Sequence, residues 1–257
     1  MRTLGVLIGL LAAAGGAAHA WVTITGDEGN RPIIAGRDDL FAAMFLGGAS
    51  YVCVRNLEIT HDAAVWAPAL YFRGGIDIAG SPSSHILLQK LYIHHIDEGI
   101  VIDDDSLPGA QFTIENVTVH DNPSRHAYPM YVQYGLSNPI SLTIRNTVIA
   151  NGYGLVYIGP TVSFTCENNL FYRPGDSEQV EANGRTYTIA QLSQLGGGNI
   201  YGAPLFILPA WGTTGDYHML AGSPGIDVGT STGAPPFALD YTIRPQGAGY
   251  DMGAYER

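Results

Sequence analysis

Positive charge is scarce in this chain. Its 257 residues include 12 Lys and Arg together, with Lys90 the single lysine, against 23 Asp and Glu, for a formal net charge of -11. So acidic a molecule repels phosphate backbones and anionic headgroups, which excludes nucleic acid and anionic lipid as electrostatic partners. Charged residues of both signs reach only 14% while hydrophobic residues reach 46%, which excludes a disordered polyelectrolyte and leaves ample material for a core. Beyond the first 20 residues no apolar run approaches the roughly 20 residues of a membrane span, so no span is expected. Also missing are a phosphate-binding glycine loop and a dinucleotide fingerprint; two common enzyme classes therefore lack their signatures.

What is present is a repeat. In Phe112-Thr113-Ile114-Glu115-Asn116-Val117-Thr118-Val119 the apolar residues at 112, 114, 117 and 119 form two period-2 runs joined by one break at Asn116, the pattern of a strand, a corner and a strand. The same template recurs at Val52/Val54/Asn56/Leu57/Ile59, Ile86/Leu88/Lys90/Leu91/Ile93, Leu142/Ile144/Asn146/Thr147/Ile149 and Phe164/Cys166/Asn168. A third short strand precedes each template, at Met44–Leu46, Leu70–Phe72, Ile100–Ile102, Met130–Val132 and Leu155–Ile158. Templates starting at 52, 86, 112, 142 and 164 describe a constant coil interrupted by loops of varying length. The expected fold is all-β: a single-stranded, right-handed parallel β-helix with three short strands per coil. Its core coils span about 40–175, and a C-terminal capping region spans about 185–257 and closes the last coil. Val22–Thr25 and Arg31–Ile34 are expected to cover the other open end.

Stacking fixes several rows. Asn56, Asn116, Asn146 and Asn168 share the corner, where asparagine tolerates the left-handed conformation and its amide can bond to the next one along the ladder. Glu115, Arg145 and Glu167 alternate in sign beside it. Cys53 points outward and Cys166 inward, four coils apart, roughly 19 Å at about 4.8 Å per strand. That is beyond disulfide reach, so two free thiols are expected. Asn169 falls where an apolar residue belongs, which suggests a shift of register at the last coil. Thr188 to Leu195 has helical character and stops at Gly196-Gly197-Gly198.

Residues 1–20 read as a secretory signal peptide: Arg2, an apolar stretch from Leu4 to Ala14, and Ala18-His19-Ala20 as the cleavage site. The expected location is secreted or extracytoplasmic, in the periplasm or at a cell surface, with the mature domain covering 21–257. At the other end stand Gly198-Asn199-Ile200 with Pro204-Leu205-Phe206, then Gly215-Asp216-Tyr217-His218 and Ser223-Pro224-Gly225-Ile226-Asp227. Asp240, Arg244-Pro245 and Asp251-Met252-Gly253-Ala254-Tyr255-Glu256 follow. This run resembles the C-terminal signature of exported bacterial right-handed β-helix proteins of the choice-of-anchor type, over about the last quarter of the chain. The preceding repeats resemble the general pectate-lyase-like pattern. The resemblance implies an extracytoplasmic β-helix and carries over no catalytic residue. Read by themselves, Asp227, Asp240, Arg244, Asp251 and Glu256 form either a polar network within the cap or a calcium site.

Three features could carry function. Strand alternation puts Tyr71, Arg73, Tyr131 and Gln133 on the outer face of the third-strand sheet, with Tyr157 as a candidate extension; tyrosines beside polar groups can serve as a platform for sugar rings. Asp103-Asp104-Asp105 adjoin this row and can hold Ca²⁺, through Asp103 and Asp105, or act as an acid/base pair. Finally, stacking places His61, His95, Asp121 and Asn151 in one column and His94 beside His120 in the next, with Arg125 in the loop that follows. Histidine beside carboxylate suits proton transfer, whereas β-helix turns also use these residues to satisfy backbone groups. Two functions follow. One is polysaccharide cleavage, by a Ca²⁺-assisted lyase or a glycoside hydrolase, with Asp103, Asp104, Arg125, His95 and His120 as candidate catalytic residues. The other is a non-catalytic, monomeric solenoid that binds a polysaccharide or surface glycan.

Overall fold

The computed structural model of the protein describes residues 20–26, 32–36, 42–61, 74–103, 107–121, 128–132, 138–175, 178–210 and 213–257. Residues 1–19, and with them the expected signal segment, lie outside the described residues.

Period-2 alternation around a corner produces the expected coil. Val52, Ile86, Phe112 and Leu142 fall in one register column, and Val54, Leu88, Ile114, Ile144 and Cys166 in the next. Beyond the corner Ile59, Ile93, Val119, Ile149 and Phe171 form a third column. Their side chains meet Ile76, Ile100, Met130, Val156 and Val180 from the third sheet in one core. The result is an all-β, right-handed parallel solenoid of about five turns. Ser50–His61 and Ser84–His94 run through the corner without a break; later coils divide there, as in Gln111–Glu115 and Thr118–His120.

Two N-terminal strands, Val22–Thr25 and Ile33–Gly36, pair in parallel with Ser50–His61 and so form a further coil over that end of the core. One third-sheet strand differs from expectation. The place beside Glu98–Ile102 belongs to Gly74–Ile78, with Ile76 opposite Ile100 and Ile78 opposite Ile102. Leu70–Phe72, within 62–73, lies outside the described residues. Both segments carry the same alternation, so periodicity alone could not choose between them.

The corner residues adopt the left-handed conformation, with φ of 58° at Asn56, 51° at Lys90, 51° at Asn116, 49° at Asn146 and 51° at Asn168. Their amides do not bond to one another as expected. Asn116 donates to Gly253 O, Asn146 to Thr230 O and Asn168 to Val228 O, so the corner holds the C-terminal segment in place. Arg145 joins Glu115 at 3.0 Å and Glu167 at 3.6 Å, as the alternating row implies. Nor does Asn169 shift the register: Leu170 stays opposite Val148 and Phe171 opposite Ile149. Fully buried, its amide bonds to Ile144 O and Asn199 Oδ1 and accepts from Thr147 N. A polar side chain fits this core position because every hydrogen-bonding group on it is matched.

The region expected to close the last coil divides into two parts. Closure itself falls to the hairpin of Glu178–Ala182 and Arg185–Thr188, followed by a 3₁₀ helix, Ile189–Gln194, whose Leu192 enters the core with Leu195. Residues 213–257 instead run along the outer face of the post-corner sheet. Met252 packs on Val148 and Leu170, and Tyr217, Leu239, Ala254 and Tyr255 surround Tyr92. Because outward Tyr92, Val148 and Leu170 are apolar, this sheet carries hydrophobic groups on both faces and requires a cover. Gly253 permits the close approach: a Cβ there would meet Thr118 Oγ1 at 2.6 Å.

Cys53 and Cys166 are free, as expected, and both are buried. Burial pushes the Cys166 thiol up to about 12. We expect a thiol reagent to modify Cys166 only after denaturation, and the non-reduced mass to equal the reduced mass, since no bridge is there to gain two hydrogens. Rapid native labelling of Cys166 would contradict the inward register.

Candidate functional site

The expected histidine column exists, and it is built by register. Thr60, His94, His120, Ala150 and Tyr172 are successive neighbours on the outer face of the post-corner sheet. One residue later His95, Asp121 and Asn151 sit at the second corner with φ of 56°, 52° and 57°. His120 Nδ1 lies 2.8 Å and His95 Nε2 3.6 Å from Asp121 Oδ2. Asn151 donates to Asp121 Oδ1 at 2.8 Å. His94 connects His95, with 2.6 Å between their Nδ1 atoms, to Glu58, with Nε2 3.1 Å from Oε1. On the opposite side Tyr92 Oη is 2.6 Å from His120 Nε2. Glu58, Thr60 and Tyr92 were not among the candidates, although their register positions opposite Tyr92, His94 and Thr118 make them legible from the same stacking.

The histidines of this cluster are sealed, while Asp121 keeps 26% of its side-chain surface exposed. His94 and His120 are 0% exposed and His95 4%, because Tyr217 and Phe206 from the C-terminal region stack over His120, with centroids at 4.4 and 5.0 Å. Burial, reinforced by the charge of His120, lowers the His95 pKa to about 4 against the opposing pull of Asp121. Burial alone would raise the Asp121 carboxyl, but His120, Asn151 and His95 together hold it at about 2. Burial also pushes Tyr217 up to about 12. The chemical consequence is a fixed charge arrangement, with neutral His95 and ionised Asp121 at physiological pH. His95 and His120 are thus brought together, but beneath a protein cover. Among the described residues no group of three or more His, Cys, Asp or Glu is arranged to hold a metal ion.

On the third sheet Tyr131 stands between Val101 and Tyr157, and Tyr157 is followed by Glu181. The facing of Tyr157 is thereby decided: its ring stacks on Tyr131 at 5.2 Å and 14°. Tyr128, which sequence parity did not reveal, leans across both at 6.3 and 5.8 Å, and its hydroxyl is 3.5 Å from Glu181 Oε2. All four are half-buried. On the other side of Val101 stands Asp77, buried, where Tyr71 was expected. Asp103 follows this sheet, donating its N–H to Ile78 O at 3.2 Å, and is half-buried. Tyr71, Arg73, Asp104, Asp105, Arg125 and Gln133 lie outside the described residues.

The C-terminal charges form the expected polar network. Arg244, 4% exposed, donates to Asp251 O, Gly253 O and Tyr255 O at 2.9–3.0 Å and lies 3.3 Å from Glu256 Oε2. A guanidinium thus occupies the middle of these carboxylates and carbonyls. His218 bridges Asp216 at 2.6 Å and Asp240 at 3.0 Å. Hydrogen bonding to Asp240 raises its pKa despite partial burial.

Fold and surfaces together define a parallel β-solenoid with one sheet face covered by its own C-terminal segment and another presenting tyrosines. Compared with family models, curated proteins and solved structures, the chain matches none of them.

Proposed function

We propose that this is an exported, non-catalytic β-solenoid that binds a polysaccharide or surface glycan through the third-sheet face around Tyr128, Tyr131, Tyr157 and Glu181. One observation carries the reading. The histidines suited to acid/base work lie sealed under the C-terminal segment, while half-exposed tyrosines with a carboxylate beside them remain on the third sheet. Such rings supply apolar surface for the C–H face of a sugar, and their hydroxyls and Glu181 supply hydrogen bonds to its hydroxyls. Export is supported by Arg2, the apolar stretch and Ala18-His19-Ala20. The choice-of-anchor resemblance of the last quarter agrees with a place outside the cytoplasm.

The test is affinity electrophoresis and calorimetry with neutral and uronic-acid polysaccharides, with and without Ca²⁺, while reducing ends and absorbance from unsaturated uronates are followed. The expected result is binding without cleavage, and Tyr131→Ala should weaken it roughly tenfold, about 1.4 kcal/mol. Cleavage products that disappear in Asp103→Ala would replace this reading with the enzymatic one. Binding unchanged in Tyr131→Ala and Tyr157→Ala would remove the tyrosine face.

A further inference from the structure

The only lysine of the chain occupies a position that asparagine takes in the other corners. Lys90 has φ of 51°, a conformation that asparagine tolerates and lysine adopts at a cost. It borders a cleft of about 380 Å³ between the corner column and residues 233–241 of the C-terminal segment, within the size range of small-molecule sites, roughly 300–1,000 Å³. Its Nζ lies 5.6 Å from the Tyr241 ring centroid across the cleft, and Tyr241 is itself left-handed, with φ of 67°. Arg55, exposed, lines the same cleft and has no ion-pair partner among the described residues. Two cations therefore meet at one concavity of a protein with net charge -11.

A second observation comes from Asn56, which also lines the cleft and is 6% exposed. Its Nδ2 donates to Thr25 Oγ1 at 2.9 Å, which fixes the orientation of the amide and turns Oδ1 into an acceptor without a donor. Asn116 Oδ1 is orphaned too, but there Gly253 covers the corner, whereas Asn56 forms part of the cleft wall. Glu115, beside cleft-lining Gly233, is engaged with Arg145 at 3.0 Å and with Gln89 at 3.5 Å. Gln89 in turn donates to Gly233 O at 3.3 Å, which ties the loop to the corner.

We propose that this cleft binds a small hydroxylated carboxylate, of the size of one sugar acid. Arg55 and Lys90 meet the carboxylate, Arg55 with a geometry that allows two parallel hydrogen bonds. A hydroxyl of the ligand donates to Asn56 Oδ1, and the C–H side rests on Phe237 and Tyr241. This site lies at the corner, not on the third sheet, and does not depend on the tyrosine face.

The experiment is calorimetric titration of the full chain with D-gluconate, beside D-glucose and inorganic phosphate, together with the shift in thermal midpoint. Gluconate is expected to bind saturably and raise the midpoint, glucose and phosphate to bind at least tenfold more weakly. Lys90→Asn restores the residue that the corner prefers, so it should fold with an unreduced midpoint while losing gluconate affinity at least tenfold. Arg55→Gln should lose as much. Tyr131→Ala should bind gluconate as the parent does. No binding of gluconate, or equal binding by Lys90→Asn and Arg55→Gln, would overturn the site. Phosphate binding as tightly as gluconate would overturn the role of Asn56 and with it the proposed ligand.

Discussion

Replacing Arg244 by methionine is expected to destabilise the C-terminal segment by about 3–5 kcal/mol, the usual range for removing one partner of a buried ion pair. The guanidinium and the Glu256 carboxylate are both wholly buried, 3.3 Å apart. Three backbone carbonyls, of Asp251, Gly253 and Tyr255, also accept from Arg244. Removing it leaves a buried anion without its cation and takes a donor from each of three carbonyls, of which Gly253 O keeps Asn116. Arg244→Lys keeps the charge but cannot fork to three oxygens, so it should recover only part of the loss. Adding Glu256→Gln to Arg244→Met should recover part of it as well, because the unpaired charge disappears. Since the segment covers Tyr92, His94 and His120 from outside, its release should abolish near-ultraviolet dichroism from that aromatic cluster before far-ultraviolet dichroism of the solenoid changes. If both signals fall together at the parental denaturant midpoint, the network does not hold the segment.

Acid is expected to destabilise the protein well above the range where carboxylates titrate. His95 has a folded pKa of about 4 against an ordinary 6.5, so below pH 6.5 the unfolded chain takes up a proton that the folded chain refuses. Stability falls between pH 6.5 and pH 4 by up to 2.5 pH units at about 1.36 kcal/mol each, about 3 kcal/mol, and this loss is complete below pH 4. Asp121 works in the usual carboxylate direction. Its folded pKa of about 2 lies below the ordinary 3.8, so its contribution is present above pH 3.8 and disappears as pH falls toward 2. The two losses share the contacts among His95, His120 and Asp121 and are not summed. His218 opposes them: its pKa is raised, so its contribution is full below pH 6.5 and lost as pH rises through the folded value. Urea unfolding at pH 7, 5.5 and 4 should show a falling midpoint, and His95→Gln should flatten it while His218→Gln should steepen it. An equal midpoint for the parent at pH 7 and pH 4 would refute the arrangement.

Legibility differed between the two candidate surfaces for a physical reason. A parallel coil has one strand spacing and a period of two, so once the template is recognised every inward and outward neighbour follows. That suffices to place His95 with Asp121 and His94 with His120, whereas the facing of Tyr157 beside Tyr131 is decided by strand pairing. Glu58, Tyr92 and Glu181 follow by the same rule, although they stand outside the repeat template's own apolar and corner positions. An inward Asn169 violates the apolar pattern, and only its partners Thr147, Ile144 and Asn199 explain it. Gly74–Ile78 was missed because two nearby segments alternate equally well and only pairing with Glu98–Ile102 distinguishes them.

Local pattern alone thus determined the coil, its corners, its three strands and the outward column of histidines, because these depend on neighbours set by periodicity. Tertiary structure decided what covers each face. Whether the column of His94 and His120 faces solvent depends on where residues 213–257 lie, and no period links that segment to the repeats. Its position follows from burial of Met252 on Val148 and Leu170, and of Tyr217 and Tyr255 on Tyr92. Those contacts join residues far apart in the chain, and through them a surface of potential acid/base groups became an interior.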